Sequence, residues 1–370
     1  MSVRDLADYP WDAVVPFRER AAQHPGGLVD LSVGSPVDPT PEIIRRALAD
    51  ATDAHAYPQT LGTPRLREAI VEWYARRRGV TDLRVDNVLP TIGSKELVAL
   101  LPTLLGLGPD DIVVHPRVAY PTYEVGARVV GATPVPADDP AEWPQGTKLI
   151  WINSPGNPDG RTWTVEELAA AVRRARELGA VLASDECYAE LGWDGPWAEQ
   201  PVPSILDPRV TAGTREGLLS VYSLSKQSNL AGYRAAFVAG CARVIAELLT
   251  ARKHLGLMPP APVQHAMAVA LGDDEHVAAQ KELYRTRRTA LRPALEIAGF
   301  RIDGSEAGLY LWATEGRDAW ESMGRLAERG ILAGPGPFYG ADSAQHVRLA
   351  LTAPTERVQE AARRLSAGPL

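Results

Sequence analysis

Short apolar runs alternate with longer amphipathic stretches from Asn87 to about Gly240. That alternation is the signature of a mostly parallel sheet covered by helices. The runs Asn87–Ile92, Asp111–His115, Thr133–Pro136, Lys148–Asn153, Ala180–Asp185, Leu218–Tyr222 and Ala235–Ala239 predict its strands. Between them, Val165–Leu178 has apolar residues recurring three and four apart, and Gly179 follows as a C-terminal stop. Past Pro259-Pro260 the pattern changes: the helical stretch His276–Ala298 leads to strand-like runs at Leu309–Ala313, Ile331–Ala333 and His346–Ala350. These predict a smaller α+β unit, and the segment before about Asp50, too short to fold alone, is expected to pack on it. The expected division is residues 1–48 as N-terminal arm and part of the small domain, 49–262 as the large domain and 263–370 as the small C-terminal domain. In such α/β sheets ligands bind at the carboxyl ends of the strands.

Composition narrows the function classes. At 370 residues the chain exceeds the roughly 250–300 that one core supports, so two domains are expected. Its formal charge of −7, with Arg and Glu interspersed, gives no basic stripe for nucleic acid or an anionic membrane. Met1 to Phe17 carries Arg4, Asp5, Asp8 and Asp12, unlike the apolar core of a signal peptide, and no run of about 18 apolar residues occurs. A cytoplasmic protein is expected. Cys187 and Cys241 form no C-x-x-C pair and the seven histidines lack ligand spacing, so no metal is expected.

Candidate chemistry centres on Tyr222-Ser223-Leu224-Ser225-Lys226, followed by Gly232-Tyr233-Arg234. A lysine just past a buried strand loses hydration, which lowers its pKa toward that of a Schiff-base nucleophile. Ser223 and Arg234 suit one phosphate, the guanidinium binding two oxygens in a fork. S-x-x-K also marks serine hydrolases, and a surface-loop lysine is the plainer alternative. At Asn153-Ser-Pro-Gly-Asn157-Pro-Asp-Gly160 a strand ends in a turn where Asn157 suits donation to an anionic ring oxygen, although turn chemistry alone explains the prolines and glycines. Ser184-Asp185-Glu186-Cys187-Tyr188 puts a carboxylate where strand meets loop. Pyridoxal phosphate (PLP) needs an acid at its pyridine nitrogen, a role that suits Asp185, with Tyr188 near the phenolic oxygen; a helix cap is the alternative for Asp185. Thr91-Ile92-Gly93-Ser94-Lys95-Glu96 runs strand, glycine, helix N-terminus, which suits a phosphate without the spacing of a nucleotide-binding loop. Tyr120 suits stacking on a flat heterocycle, or packing.

With these segments in view, the chain resembles the class I/II aminotransferases of PLP fold type I, from about Leu31 to about Ala361. The resemblance implies an α/β fold with a mostly parallel seven-stranded sheet between helices, plus a smaller α+β domain formed by both termini. It implies that Lys226 carries the cofactor as a Schiff base and that Asp185 pairs with the ring nitrogen. Asn157 and Tyr188 then contact the phenolic oxygen, Tyr120 stacks on the ring, and Gly93, Ser94, Lys95, Ser223 and Arg234 surround the phosphate. By the same resemblance Arg348, with Gly34 nearby, clamps the substrate α-carboxylate, and Tyr57 reaches the phosphate of the other subunit of a homodimer. The wording VGSPVDPTP, HPRVAYPTYEVGA, INSPGNPDGRTW and YSLSKQSNLAGYRAAFVAG is similar to succinyldiaminopimelate aminotransferases of the actinobacterial kind. Amino acids and keto acids are the implied substrates. Aspartate or aromatic aminotransferases, C–S lyases and amino-acid phosphate decarboxylases share these cofactor contacts, and a sensor-type transcription regulator would carry a DNA-binding domain ahead of them. Side-chain specificity is expected in loops near Phe17, Ser35 and Gly308–Tyr310, with Arg18 and Arg161 as available cations for a distal carboxylate.

Overall fold

The computed structural model describes residues 10–370; residues 1–9, where the predicted arm begins, lie outside the described residues. After β1 (Val29–Asp30) come β2 (Val88–Ile92), β3 (Ile112–His115), β4 (Thr133–Pro136), β5 (Thr147–Asn153), β6 (Val181–Asp185), β7 (Leu218–Ser223) and β8 (Ala235–Gly240). Strands β2 to β8 form one sheet in the order β2-β8-β7-β6-β5-β3-β4. Only β8 runs against its neighbours, and the remaining ladders are parallel. Each of the seven runs expected from the sequence is a strand, with ends that move by at most one residue.

Burial explains this legibility. Strands β7 and β8 are buried along their whole length, as a sheet covered on both faces demands, so their sequences read as unbroken apolar or small residues. At the edge, β4 is Thr-Pro-Val-Pro, and prolines without N–H groups suit a strand that pairs on one side only. One face packs Trp73 against Tyr222 at 4.4 Å between ring centroids and Tyr222 against Phe237 at 5.5 Å. The other packs Leu97, Leu101, Tyr123 and Trp151. The helix Val165–Leu178 starts with a reciprocal cap, Thr164 Oγ1 accepting from Glu167 N while Glu167 Oε2 accepts from Thr164 N, and ends at Gly179 with φ 65°.

The second unit holds β9 (Arg301–Ile302), β10 (Tyr310–Thr314), β11 (Ile331–Leu332), β12 (Gly334–Pro335) and β13 (Val347–Ala350). An antiparallel sheet runs β12-β13-β10-β9, while β11 pairs in parallel with β1. β1, β9 and β12 span two residues each, too few to show an alternation in the sequence. Val14, Val29 and Leu31 share a core with Leu295, Leu311 and Leu349. Ile44 of the helix Glu42–Asp50 joins the large-sheet core instead, as do Met267 and Leu271 of the helix Ala261–Gly272. No helix among the described residues is long and apolar enough to cross a membrane.

Candidate active site

Parallel register brings the carboxyl ends of β5 and β6 together, with Asn153 opposite Asp185. Asp185 is buried, and its carboxylate accepts from the Tyr123 hydroxyl at 2.8 Å and from the Cys187 backbone N–H at 3.2 Å. Burial pushes its acid up, and the bonds from Cys187 and Tyr123 pull it partly back. Tyr123 stacks on Trp151 (5.1 Å, 25°) and meets the edge of Tyr120 (5.9 Å, 85°). Sequence reasoning missed Tyr123; its one signal is a position three residues after Tyr120, at the start of the helix Thr122–Val129. Tyr120 is itself half-buried, its phenol pushed up to about 12 by burial.

Lys226 lies in a single turn, Leu224–Gln227, that follows β7. Its Nζ donates to the Gly34 carbonyl, and its own carbonyl accepts from the Tyr284 hydroxyl at 3.2 Å. Burial lowers its pKa, and the Arg348 and Arg234 charges act in the same direction against an opposing Tyr310 contribution. Ser223 caps this turn by accepting from Ser225 N at 3.1 Å and donates to the Ser225 hydroxyl at 2.8 Å, a second serine that the sequence left unmarked. Just beyond, Ser228 Oγ meets His276 Nε2 at 2.8 Å and His276 Nδ1 meets Asp273 at 2.6 Å, the connectivity of a hydrolytic triad. Ser228 is 0% exposed, so no substrate reaches it, and the chain braces the lysine turn against the helix Glu275–Ile297.

Gly93 (φ 79°) precedes the helix Ser94–Leu104, whose first turn no side chain caps. A Cβ at Gly93 would overlap the Arg234 guanidinium, so glycine is what permits that approach. Arg234 sits in the left-handed region at φ 53°, a strain of roughly 1–3 kcal/mol for a residue with a side chain. Exposed N–H groups and a guanidinium thus converge on one spot fit for an anion. Behind it, Arg252 holds Glu96 at 2.7 and 3.1 Å. Lys95 is exposed with Nζ 5.8 Å from the Tyr120 ring centroid.

Arg348, on β13, donates to Asn157 Oδ1 at 2.9 Å and to the Ser32 carbonyl at 2.8 Å, and its Nε has no partner among the described residues. Its guanidinium lies 4.0 Å from the Tyr310 ring centroid and 4.9 Å from that of Tyr339. Tyr310 also meets the Tyr188 hydroxyl at 3.2 Å. These contacts link Gly34, Tyr188, Lys226, Arg348 and Asn157, and Asn157 N–H in turn donates to Asn153, whose amide donates to the Asp185 carbonyl at 2.9 Å. Tyr57 stands apart, 97% exposed. Arg18 and Arg161 are paired at the surface, with Asp30 at 2.7 Å and Glu167 at 3.0 Å, and are not free cations beside Arg348.

A buried acid lacking a cation, a buried guanidinium lacking an anion, a desolvated lysine and an uncapped helix start fit PLP beside a substrate carboxylate. A model of the family Aminotransferase class I and II matches residues 27–365. The chain belongs to the class I and II aminotransferases. These enzymes are PLP-dependent and have the fold-type-I architecture described above. This aminotransferase is 52% identical over 365 residues to the 4-dedimethylamino-4-oxo-anhydrotetracycline transaminase OxyQ of Streptomyces rimosus, covering 98% of this chain and 100% of that protein. It is 54% identical over 362 residues to the probable aminotransferase Rv1178 of Mycobacterium tuberculosis, covering 98% of this chain and 85% of that one. Among solved structures, the probable N-succinyldiaminopimelate aminotransferase of Thermus thermophilus superposes with a TM-score of 0.84 at 31% identity, over 96% of this chain and 98% of that one.

Proposed function

We propose that this aminotransferase transfers the amino group of N-succinyl-L,L-2,6-diaminopimelate to 2-oxoglutarate, and runs in the opposite sense, with glutamate as donor, in lysine biosynthesis. The observation that carries it is Arg348, buried beside Lys226, with two of its five N–H groups bonded to acceptors among the described residues. It binds the α-carboxylate of either substrate, and Asn157 steadies it. The likeness to the Thermus thermophilus enzyme supports the succinylated donor. Asp185 holds a proton at the ring nitrogen, Tyr120 stacks on the ring, and Asn157 and Tyr188 contact the phenolic oxygen. Gly93, Ser94, Lys95, Ser223 and Arg234 hold the phosphate, and Gly34 borders the carboxylate. When bound, PLP supplies the electron-withdrawing ring that stabilises negative charge at the substrate's α-carbon. The neutral amine of Lys226, favoured by its burial, takes the α-proton and returns it one position along. The exposed Tyr57 serves the phosphate of a second copy in a cytoplasmic homodimer, so an active monomer by sedimentation would refute that part.

A second reading, a bulky polycyclic ketone as amino acceptor, is favoured by the 52% identity to OxyQ. Steady-state kcat/KM for the succinylated donor, aspartate, kynurenine and phenylalanine, with 2-oxoglutarate and then a 4-oxo-anhydrotetracycline as acceptors, separates these, because specificity is a ratio of such constants. The succinylated donor with 2-oxoglutarate is expected to lead. If aspartate or an aromatic donor equals it, or the ketone is the better acceptor, the diaminopimelate reading fails. Borohydride reduction with peptide mapping is expected to find the cofactor on Lys226, and a label on Lys95 or Lys148 ends that assignment.

A further inference from the structure

Two phenols meet between the two halves of the site. Tyr188, just past β6, and Tyr310, on β10, have hydroxyls 3.2 Å apart and rings at 70° with centroids 5.7 Å apart. Both are buried, and the Tyr188 contact is the one hydrogen bond that the Tyr310 hydroxyl makes among the described residues. The other face of the arrangement is charged. The Arg348 guanidinium lies 4.0 Å from the Tyr310 centroid, and the Tyr310 hydroxyl occupies the space a side chain on Gly34 would need, beside the carbonyl that holds Lys226.

An O–H···O bond between two phenols uses one proton and leaves the other for a further acceptor. If Tyr188 donates to the cofactor's phenolic oxygen, Tyr310 is the donor of this pair and Tyr188 its acceptor.

We infer that Tyr310 is a positioning residue that acts through Tyr188: by donating to the Tyr188 hydroxyl it leaves that phenol's own proton for the anionic phenolic oxygen of the cofactor. The inference rests on the reading of Tyr188 as a partner of that oxygen. It also gives Gly34 a reason beyond the carboxylate, since a methyl group there would displace the Tyr310 hydroxyl from the bond. Donors to the phenolic oxygen stabilise its negative charge and so lower the proton affinity of the lysine-bound chromophore. Loss of a donor moves the pH midpoint of the absorbance change upward.

The test is a pH titration of holoenzyme absorbance for wild type, Tyr188→Phe, Tyr310→Phe and the double variant. The phenylalanine ring keeps its volume and the face on which Arg348 lies. Tyr188→Phe is expected to raise the midpoint by about one unit and Tyr310→Phe by about half a unit; at roughly 1.4 kcal/mol per unit, half a unit is the net worth of a neutral hydrogen bond. Because Tyr310 acts through Tyr188, the double variant is expected to match Tyr188→Phe alone, a non-additive cycle. A Tyr310→Phe midpoint equal to wild type while Tyr188→Phe shifts, or a double variant that adds the two shifts, overturns the inference and spares the reading of Tyr188. An unmoved Tyr188→Phe overturns both.

Discussion

Asp185 and Arg348 are buried ionisable groups of opposite sign, and among the described residues neither has an opposite charge among its hydrogen-bond partners. Their partners are neutral: a phenol and a backbone N–H for the acid, an amide oxygen and a backbone carbonyl for the guanidinium. The difference lies in what each group can do about its burial. A carboxylate can take a proton, and burial drives Asp185 that way. A guanidinium cannot lose one, so Arg348 is instead flanked by the faces of Tyr310 and Tyr339, contacts worth about 2 kcal/mol when desolvated. Adjustable charge suits the end proposed for a resident cofactor. Fixed charge in an aromatic collar suits the end proposed for carboxylates that must enter and leave in each half-reaction.

The largest effect that could break this comparison is expected from Asp185→Asn. The variant should bind PLP, yet its kcat should fall by about 10²–10⁴, the equivalent of roughly 3–5 kcal/mol for one buried charged contact. Near-native turnover would mean that another residue serves the ring nitrogen. A smaller effect, of a different kind, is expected from Arg348→Gln: kcat/KM for amino donors should fall about 10- to 100-fold, the worth of one charge-assisted hydrogen bond, with PLP affinity unchanged. Should PLP affinity collapse and donor KM hold, the two ends would have been assigned the wrong ligands.

The two ends were not equally legible in the sequence. Asp185 ends the five-residue β6 just after the apolar Val181, Leu182 and Ala183, so a carboxylate where strand meets loop stands out locally. Its partner Tyr123 carried no such mark, because the contact spans 62 positions. The Arg348 end is built almost wholly from distant pieces. Ser32 and Arg348 are 316 positions apart, and Tyr339 sits in a short 3-10 turn with no periodic pattern. Family likeness singled out Arg348, but the collar of Tyr310 and Tyr339 depends on how β10 and β13 pair. Pairing between strands of four and five residues leaves little trace in hydropathy alone. The large sheet was readable for the opposite reason: double-sided burial imposes apolar runs that need no partner to be recognised.

The smallest predicted effect tests the claim that Asp185 adjusts its charge while Arg348 does not. In the PLP-free protein the Asp185 acid is raised above the unfolded-chain value of about 3.9. Between those two values the folded state binds more protons than the unfolded one, so stability falls as pH rises. The neutral acid's contribution is fully present below about pH 4 and is lost as pH climbs through the raised folded value. Asp185→Asn cannot ionise and should escape that loss, so apo Asp185→Asn should melt a few °C above apo wild type at neutral pH, with the gap closing as pH approaches 4; about 1–3 kcal/mol for an uncompensated buried group corresponds to a shift of that size. Saturating PLP should reverse the order, because a protonated ring nitrogen gives the carboxylate, but not the amide, an opposite charge. Arg348→Gln serves as the control: a guanidinium does not titrate in this range, so its melting temperature should track wild type in parallel from pH 4 to 7. Melting curves for apo wild type and apo Asp185→Asn that stay parallel over the same range would show that Asp185 keeps its charge in the empty site, and the contrast between the two ends would fail.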